Sequence, residues 1–334
     1  MARVAINGLG RIGRASLKII SDTPELELVA INDLVPTENL AYLLKYDTVY
    51  GRYEKDVRHD NDRLIVGDKS CQVFHEKDPL KLPWKELGID IVLECTGVFT
   101  KKNDLEMHLR AGAKRVILSA PTKSEEVLTV VHGVSSSDNL PEIISCASCT
   151  TNCITPVVEI IGRRIGIQKA IMTTIHAYTA SQALVDGPGK NMRRGRAGAE
   201  NLVPTSTGAA IATTKALPQY KGKFDGVSVR VPIPVGSLAD IVFISEKNTS
   251  VEQVNQILTE EATTKRYQGI LRTTDEPIVS SDIIKDSHAS IVDMTMTQVV
   301  DGNLVKIMAW YDNEWGYANQ MIRKAVDIYR SMKS

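Results

Sequence analysis

A chain of 334 residues, 43% hydrophobic and 24% charged, is long enough for two domains, each with its own core. Its 40 Lys and Arg balance 40 Asp and Glu, so no net field draws it to nucleic acid or an anionic membrane. No apolar run reaches 18 residues, and the five cysteines, an odd number, argue against a disulfide framework and for a reducing, cytoplasmic compartment.

The chain enters a strand at Arg3-Val4-Ala5-Ile6 without a charged leader and apolar h-region, so no signal peptide is expected. Gly8-Leu9-Gly10-Arg11-Ile12-Gly13 follows that strand and opens a helix with Ile12, Ala15, Ser16, Ile19 and Ile20 at helical spacing. In this context a Gly-x-Gly-x-x-Gly run reads as a dinucleotide fingerprint. Gly8 makes the tight turn, Gly10 lets backbone approach a pyrophosphate, and Gly13 permits close helix–strand packing. The helix N-terminus offers amide donors and the positive end of its dipole to the phosphates. Asp33 closes the strand Leu26–Ile31, where a carboxylate accepts from the adenosine ribose hydroxyls and repels a 2′-phosphate. NAD is therefore preferred to NADP.

Apolar runs at Ile91–Cys95, Val116–Ser119 and Ile143–Ser145, with an amphipathic segment around Leu105–Leu109 between them, continue the alternation. It predicts a doubly wound parallel sheet of Rossmann type. The pattern changes at Ser148-Cys149-Thr150-Thr151-Asn152-Cys153, where a thiol starts a helix with Ile154, Val157, Val158 and Ile161 on one face. His176 arrives from a later strand. A thiol attacks a carbonyl only as thiolate, and a helix N-terminus or a histidine cation lowers a cysteine pKa.

Longer β-rich runs follow at Ala170–Ile175, Val227–Val231, Ile241–Ser245, Ile291–Val300 and Leu304–Tyr311, with hairpin-turn chemistry at Asp301-Gly302-Asn303. They predict an α+β domain with a mostly antiparallel sheet. The last amphipathic segment, Ala318–Met332, carries Met321, Ala325, Ile328 and Tyr329 on one stripe and is expected to pack back on the first domain. The expected division is 1–148 with 314–334 as the dinucleotide-binding domain and 149–313 as the catalytic domain. Cys146-x-x-Cys149 has no second pair to complete a metal site, so no metal is expected. Composition and spacing alone reach an NAD-linked thiol enzyme.

Five blocks carry the reading further: Ala5-Ile6-Asn7-Gly8-Leu9-Gly10-Arg11-Ile12-Gly13-Arg14, Ser148 to Cys153, His176-Ala177-Tyr178-Thr179, Ser206-Thr207-Gly208-Ala209-Ala210, and Trp310-Tyr311-Asp312-Asn313-Glu314-Trp315-Gly316-Tyr317. From end to end the chain closely resembles the phosphorylating glyceraldehyde-3-phosphate dehydrogenases of the bacterial and eukaryotic type. The resemblance implies NAD-dependent conversion of D-glyceraldehyde 3-phosphate to 1,3-bisphosphoglycerate, in glycolysis or gluconeogenesis. Cys149 would attack the aldehyde to give a hemithioacetal, His176 would act as base and then acid, and inorganic phosphate would release a thioester. The resemblance places Thr179, Ser181 and Arg230 at the substrate phosphate, and Ser148, Thr150, Thr207 and Gly208 at the attacking phosphate. It puts Arg194, in the basic run Lys190–Arg196, near phosphate on a loop that in this family lines a neighbour's cofactor site. It gives Asn313 the nicotinamide carboxamide, packs Tyr317 beside the ring, brings Arg11 and Ile12 to the pyrophosphate, and lines the cleft with Lys77, Thr96, Gly97 and Ser119. It also implies a homotetramer acting on a small molecule, with no membrane and no specific nucleic acid as partner.

The chain departs from the family's usual pattern in places. Cys146 stands where asparagine is usual, so a Cys146–Cys149 or Cys149–Cys153 disulfide is weighed against a pocket-filling thiol. Pro232-Ile233-Pro234-Val235-Gly236-Ser237 and Ser181 also differ, while Asp33, Leu34 and Pro188 resemble NAD-specific members. The alternatives are an erythrose phosphate dehydrogenase and a dinucleotide-binding thiol redox sensor. Aspartate-semialdehyde dehydrogenase shares the logic but not the blocks.

Overall fold

The computed structural model describes residues 1–136 and 139–333. The chain divides into two compact units: Met1–Val130, Ser136–Ala147 and Met321–Ser334 form one, Val131–Ser135 and Ser148–Gln320 the other. Ser148 and residues 314–320 thus fall with the thiol-bearing unit, not with the first as the change in pattern suggests. The reason is local bonding. The Ser148 hydroxyl accepts from Thr151 N–H, Asp312 accepts from the amides of Glu314 and Trp315, and the Gln320 amide donates to the carbonyls of Gly269 and Ser287.

The first unit runs β1 (Ala2–Asn7), α1 (Arg11–Ser21), β2 (Leu26–Asn32), α2 (Thr37–Lys45), then a small ribbon of β3 (Tyr46–Asp47) and β4 (Gly51–Arg52). Next come β5 (Val57–Asp60), β6 (Arg63–Val66), β7 (Lys69–Phe74), β8 (Ile91–Glu94), α3 (Lys102–Arg110), β9 (Arg115–Leu118), β10 (Leu128–Thr129) and β11 (Ile143–Ser145). Among the described residues the main sheet has nine strands in the order β10-β11-β9-β8-β1-β2-β7-β6-β5. Pairs from β10 to β7 are parallel, and only β7-β6-β5 are antiparallel. Val4, Ile6, Val92, Leu93 and Ile117 are fully buried, as strands covered on both faces require. The antiparallel edge escapes a search for apolar runs because Arg58, His59, Asp60 and Arg63 are exposed. Strand order reverses at β1, with β2 on one side and β8 on the other, which opens a crevice at the carboxyl ends of these strands.

The second unit runs α4 (Cys149–Arg164), β12 (Ile167–Ala177), β13 (Val203–Ser206), α5 (Ala209–Ala216), β14 (Phe224–Val231), β15 (Ser237–Ser245), α6 (Val251–Ala262), β16 (Leu271–Thr274), β17 (Ser290–Val300), β18 (Leu304–Tyr311) and the start of α7 (Trp315–Ser331). Its strands order as β13-β14-β12-β15-β18-β17-β16. Among the described residues only β12–β14 and β16–β17 pair in parallel. The inward residues of β15 (Ala239, Ile241, Phe243) and β18 (Val305, Ile307, Ala309) alternate, and pack with Ile154, Val157 and Ile161 of α4 and Val254 and Leu258 of α6. Asp301 and Gly302 both have positive φ (49° and 72°), the geometry that joins β17 to β18. Among the described residues no helix is long and apolar enough to cross a membrane.

Candidate active site

Ala147, at φ 57°, is a left-handed non-glycine residue immediately before the thiol helix. Such a conformation costs roughly 1–2 kcal/mol and is retained where the surrounding structure dictates the turn. Ser148 then caps α4: its Oγ accepts from Thr151 N–H at 3.1 Å, and Oγ lies 2.8 Å from Thr151 Oγ1. Cys149 is therefore the first residue of the helix, beside amides with no intrahelical acceptor.

His176 lies near the end of β12, directly across the parallel pair from Arg230 on β14. Its Nε2 is 3.4 Å from Cys149 Sγ. Its Nδ1 is 2.7 Å from the Ala177 carbonyl, which only accepts; the tautomer with its proton on Nδ1 makes that bond and turns the Nε2 lone pair toward the thiol. Arg230 Nη1 donates to the same carbonyl at 2.9 Å and sits 2.8 Å from Nδ1. Burial, then the Arg230 charge, pushes the imidazole down to about 3. The ring is therefore neutral in this site, the form that the base role expected of it requires. Burial pushes the Cys149 thiol up, opposed by Arg230 and by the Thr150 hydroxyl and amide. Moving the proton from Sγ to Nε2 leaves the pair's net charge at zero, so burial penalises that transfer less than either ionisation alone.

Among the described residues Arg230 Nε has no hydrogen-bond partner, which leaves one donor of the guanidinium unspent. Thr179 Oγ1 and Ser181 Oγ lie 2.9 Å apart in the turn after β12, where Tyr178 N–H donates to the Ile233 carbonyl just past β14. Arg194 reaches β13, donating from Nε to Thr205 Oγ1 at 3.0 Å and from Nη2 to the Ser206 carbonyl at 3.4 Å. It is near enough to Arg230 and His176 to act on both electrostatically. Thr207 Oγ1 accepts from Ala209 N–H, and Gly208 caps α5 with open space where a side chain would stand. The hydroxyls of Ser148 and Thr150 are otherwise engaged, by the helix cap and by Tyr311, so backbone amides are what these two positions offer an anion.

Tyr311 is a participant that the sequence did not reveal. Its Oη lies 2.8 Å from both Thr150 Oγ1 and Thr174 Oγ1, and its ring meets the His176 ring edge-on at 6.0 Å. It stands inside the Trp310–Tyr317 block, but an aromatic at the end of an apolar strand gives no sign of a polar task. Asn313 Oδ1 accepts from Gly236 N–H and Ser237 Oγ, both at 3.0 Å, which leaves its amide nitrogen as a donor. Tyr317, on the first turn of α7, is buried.

In the first unit, a cleft of about 540 Å³ opens beside the glycine turn, lined among others by Gly8, Gly10, Asp33, Lys77 and Thr96. Gly8 has φ 93°, and a Cβ there would lie 2.7 Å from Thr96 N. A Cβ at Gly13 would lie 2.1 Å from the Gly8 carbonyl, whereas Gly10 meets nothing within 4 Å. The three positions thus divide as turn, open approach and tight packing, a cradle that fits a pyrophosphate. Asp33 Oδ2 accepts from Leu9 N–H at 2.6 Å, tying the strand end to the glycine turn. The Arg11 side chain pairs with Asp47 at 2.6 Å, which leaves the helix N-terminal amides of Arg11 and Ile12 as the groups these two positions can offer an anion. Gly97 turns with φ 70°, and Ser119 N–H donates to the Glu94 carbonyl. All five cysteines are free, and burial pushes the Cys146 thiol up to about 12, as suits one that fills a pocket.

Residues 2–102 match the family profile described as "Glyceraldehyde 3-phosphate dehydrogenase, NAD binding domain", and residues 148–313 match "Glyceraldehyde 3-phosphate dehydrogenase, C-terminal domain". A glyceraldehyde-3-phosphate dehydrogenase of Thermotoga maritima is 51% identical over 326 residues, covering 96% of this chain and 97% of its own. Glyceraldehyde-3-phosphate dehydrogenase 2 of Streptomyces avermitilis is 48% identical over 330 residues, 98% of each chain. The enzyme of Geobacillus stearothermophilus is 45% identical over 329 residues, again 98% of each. On this likeness, running through both units, the chain belongs to the glyceraldehyde-3-phosphate dehydrogenase family.

Proposed function

We propose that the protein oxidises D-glyceraldehyde 3-phosphate with NAD and inorganic phosphate to 1,3-bisphosphoglycerate, with Cys149 as nucleophile and His176 as base and acid. The observation that carries this is the 3.4 Å approach of Sγ to His176 Nε2, whose lone pair is free in the tautomer that donates from Nδ1 to Ala177. As Sγ bonds to the aldehyde carbon, its proton passes to Nε2, which returns a proton to the new alkoxide to give the hemithioacetal. His176 next removes that hydroxyl proton while hydride departs and the thioester forms. NAD, when bound, supplies the hydride acceptor. A phosphate oxygen attacks the thioester carbon, and the carbon–sulfur bond breaks to return the Cys149 thiolate, which Arg230 and the α4 N-terminus stabilise.

Arg230 and Arg194 hold the substrate phosphate and the attacking phosphate, with Thr179, Ser181, Thr207, Gly208 and the amides of Ser148 and Thr150 completing the donor set. The cleft beside Gly8, Gly10 and Asp33 binds NAD, with Asn313 and Tyr317 at the nicotinamide. Exposed Leu184, Val185, Met192 and Leu202 in one segment support assembly into a homotetramer, and the unpaired thiols support a cytoplasmic setting.

The test is NADH absorbance with each aldehyde phosphate, with and without inorganic phosphate, for wild type and Cys149→Ser. Phosphate-dependent NADH formation that vanishes in the variant is expected. Phosphate-independent turnover, faster with erythrose 4-phosphate, would move the assignment to that substrate. Rapid thiol oxidation with no turnover on any aldehyde would leave a redox sensor.

A further inference from the structure

Glu94, the last residue of β8, is a carboxylate with no exposed surface in an otherwise apolar parallel strand. Its two oxygens take four donors. Oε1 receives Thr96 N–H at 2.8 Å and the Thr96 hydroxyl, while Oε2 receives Asn7 Nδ2 at 2.6 Å and His108 Nε2 at 3.1 Å. The directions are not free. Trp84 Nε1–H, which can only donate, points at His108 Nδ1 at 3.1 Å, so His108 holds its proton on Nε2 and donates it to Glu94. Because Asn7 gives its amide hydrogens to Glu94, its oxygen is left to accept from Asn32 Nδ2 at 2.7 Å. Asn32 also donates to the Glu76 carbonyl and accepts from Glu76 N–H, each at 2.9 Å. On the other side the Thr96 hydroxyl, spent as a donor, accepts from Val98 N–H at 3.1 Å.

One buried carboxylate thus sets the polarity of a chain that ends in three separate walls of the cleft. Asn7 precedes the glycine turn, Asn32 and Glu76 hold the floor beside Lys77, and Thr96 with Val98 shapes the turn after β8. We propose that Glu94 is a positioning residue for the dinucleotide: it touches no cofactor atom, and its charge selects the one donor–acceptor pattern in which the three walls fit the cofactor. The proposal rests on assigning this cleft to NAD. An all-acceptor group is required, because an amide at position 94 would set a donor against at least one of the four donors it meets.

The experiment measures KM for NAD, binding of ADP-ribose, kcat, and the iodoacetamide alkylation rate of Cys149 without NAD, for Glu94→Gln. An unsatisfied buried donor typically weakens what depends on it by about tenfold or more. KM for NAD and the ADP-ribose dissociation constant should rise by about that factor, with kcat and alkylation near wild type. Adding Asn7→Asp, which restores an acceptor opposite the Gln amide, should recover part of the loss. A folded Glu94→Gln that binds ADP-ribose as wild type does overturns the proposal, as does a loss that Asn7→Asp only deepens. If Glu94→Gln does not fold, His108→Gln, which keeps a donor toward Glu94, is compared with His108→Leu. Weaker ADP-ribose binding in the leucine variant alone supports the inference, and equal binding in both overturns it. Asp33→Ala separates the two claims: wild-type NAD affinity there removes the cleft assignment, while its loss beside a silent Glu94→Gln removes only the role of Glu94.

Discussion

His176 and Arg230 face each other across a parallel strand pair and share one acceptor, the carbonyl of Ala177, at 2.7 Å from Nδ1 and 2.9 Å from Nη1. The arginine occupies space beside the imidazole without taking the lone pair that faces Cys149. Burial, and after it the arginine's charge, holds the ring neutral, the state that a base at Nε2 requires.

With His176→Asn the thiol loses the proton's nearest alternative home and is left with the upward push of burial. The expected result is slower alkylation of Cys149 at pH 7 and a pH–rate profile displaced to higher pH. Turnover should fall about 10²-fold or more, in the range of a lost general base. An unmoved alkylation profile would show that His176 does not set the thiol's ionisation.

Arg230→Lys keeps a charge but loses the planar fork, so the compact ammonium no longer presents separate, fixed donors to Ala177 and to an anion. KM for the aldehyde phosphate and for inorganic phosphate should rise by about tenfold or more, with NAD affinity unchanged. Steady-state kinetics in each substrate checks this, and a variant with wild-type KM values would remove Arg230 from the anion sites.

Tyr311→Phe leaves the buried hydroxyls of Thr150 and Thr174 facing a ring edge, each having lost a 2.8 Å partner. Stability should fall by about 1–3 kcal/mol in urea unfolding. Because Thr150 also acts on the Cys149 sulfur, alkylation at pH 7 should slow as well. A stability loss with unchanged alkylation would confine Tyr311 to packing.

Asp286 predicts acid behaviour. Burial acts against its ionised form, but hydrogen bonds from the His288 ring and amide, with the Arg272 charge, outweigh it and hold the carboxyl at about 2 against an ordinary 3.8. A folded value below the unfolded one stabilises the fold above about pH 4, and that contribution is lost as pH falls toward 2. Its size is about 2 kcal/mol. Asp286→Asn should lower stability at pH 7 by roughly that amount and flatten the loss between pH 4 and 2, read by thermal unfolding across that range.

Gly13→Ala places a methyl 2.1 Å from the Gly8 carbonyl, backbone that cannot rotate away. The helix must shift, at a cost of about 1–3 kcal/mol, and NAD binding should be lost with it. Gly10→Ala meets no atom of the protein. It should fold normally and weaken NAD alone, through contact with the pyrophosphate. Calorimetry with NAD separates the two variants, and equal behaviour would refute the division of labour in the glycine turn.

Much of this was legible in the chain. The apolar runs that became β1, β8, β9, β12 and β18 are periodic enough to be found without contacts, and the strand–glycine–helix context identified the cleft. The pair Cys149 and His176 followed from residue type and helix position. The polar hairpins β5–β7 stayed hidden because half their residues face water. Glu94 and Tyr311 stayed hidden because a charge or a hydroxyl in an apolar run states no partner, and its partners come from distant segments: Asn7 and His108 for one, Thr150 and Thr174 for the other.

Local chemistry in the sequence therefore determined the class of fold, the glycine turn after β1 and the family, and it singled out Cys149 as the candidate nucleophile. Tertiary structure decided the polarity of the site. It placed Nδ1 of His176 against Ala177 with Arg230 beside it, and burial and that charge keep the ring neutral. Hydrogen-bond direction depends on which donors meet which acceptors across the fold, and no spacing along a single strand specifies that.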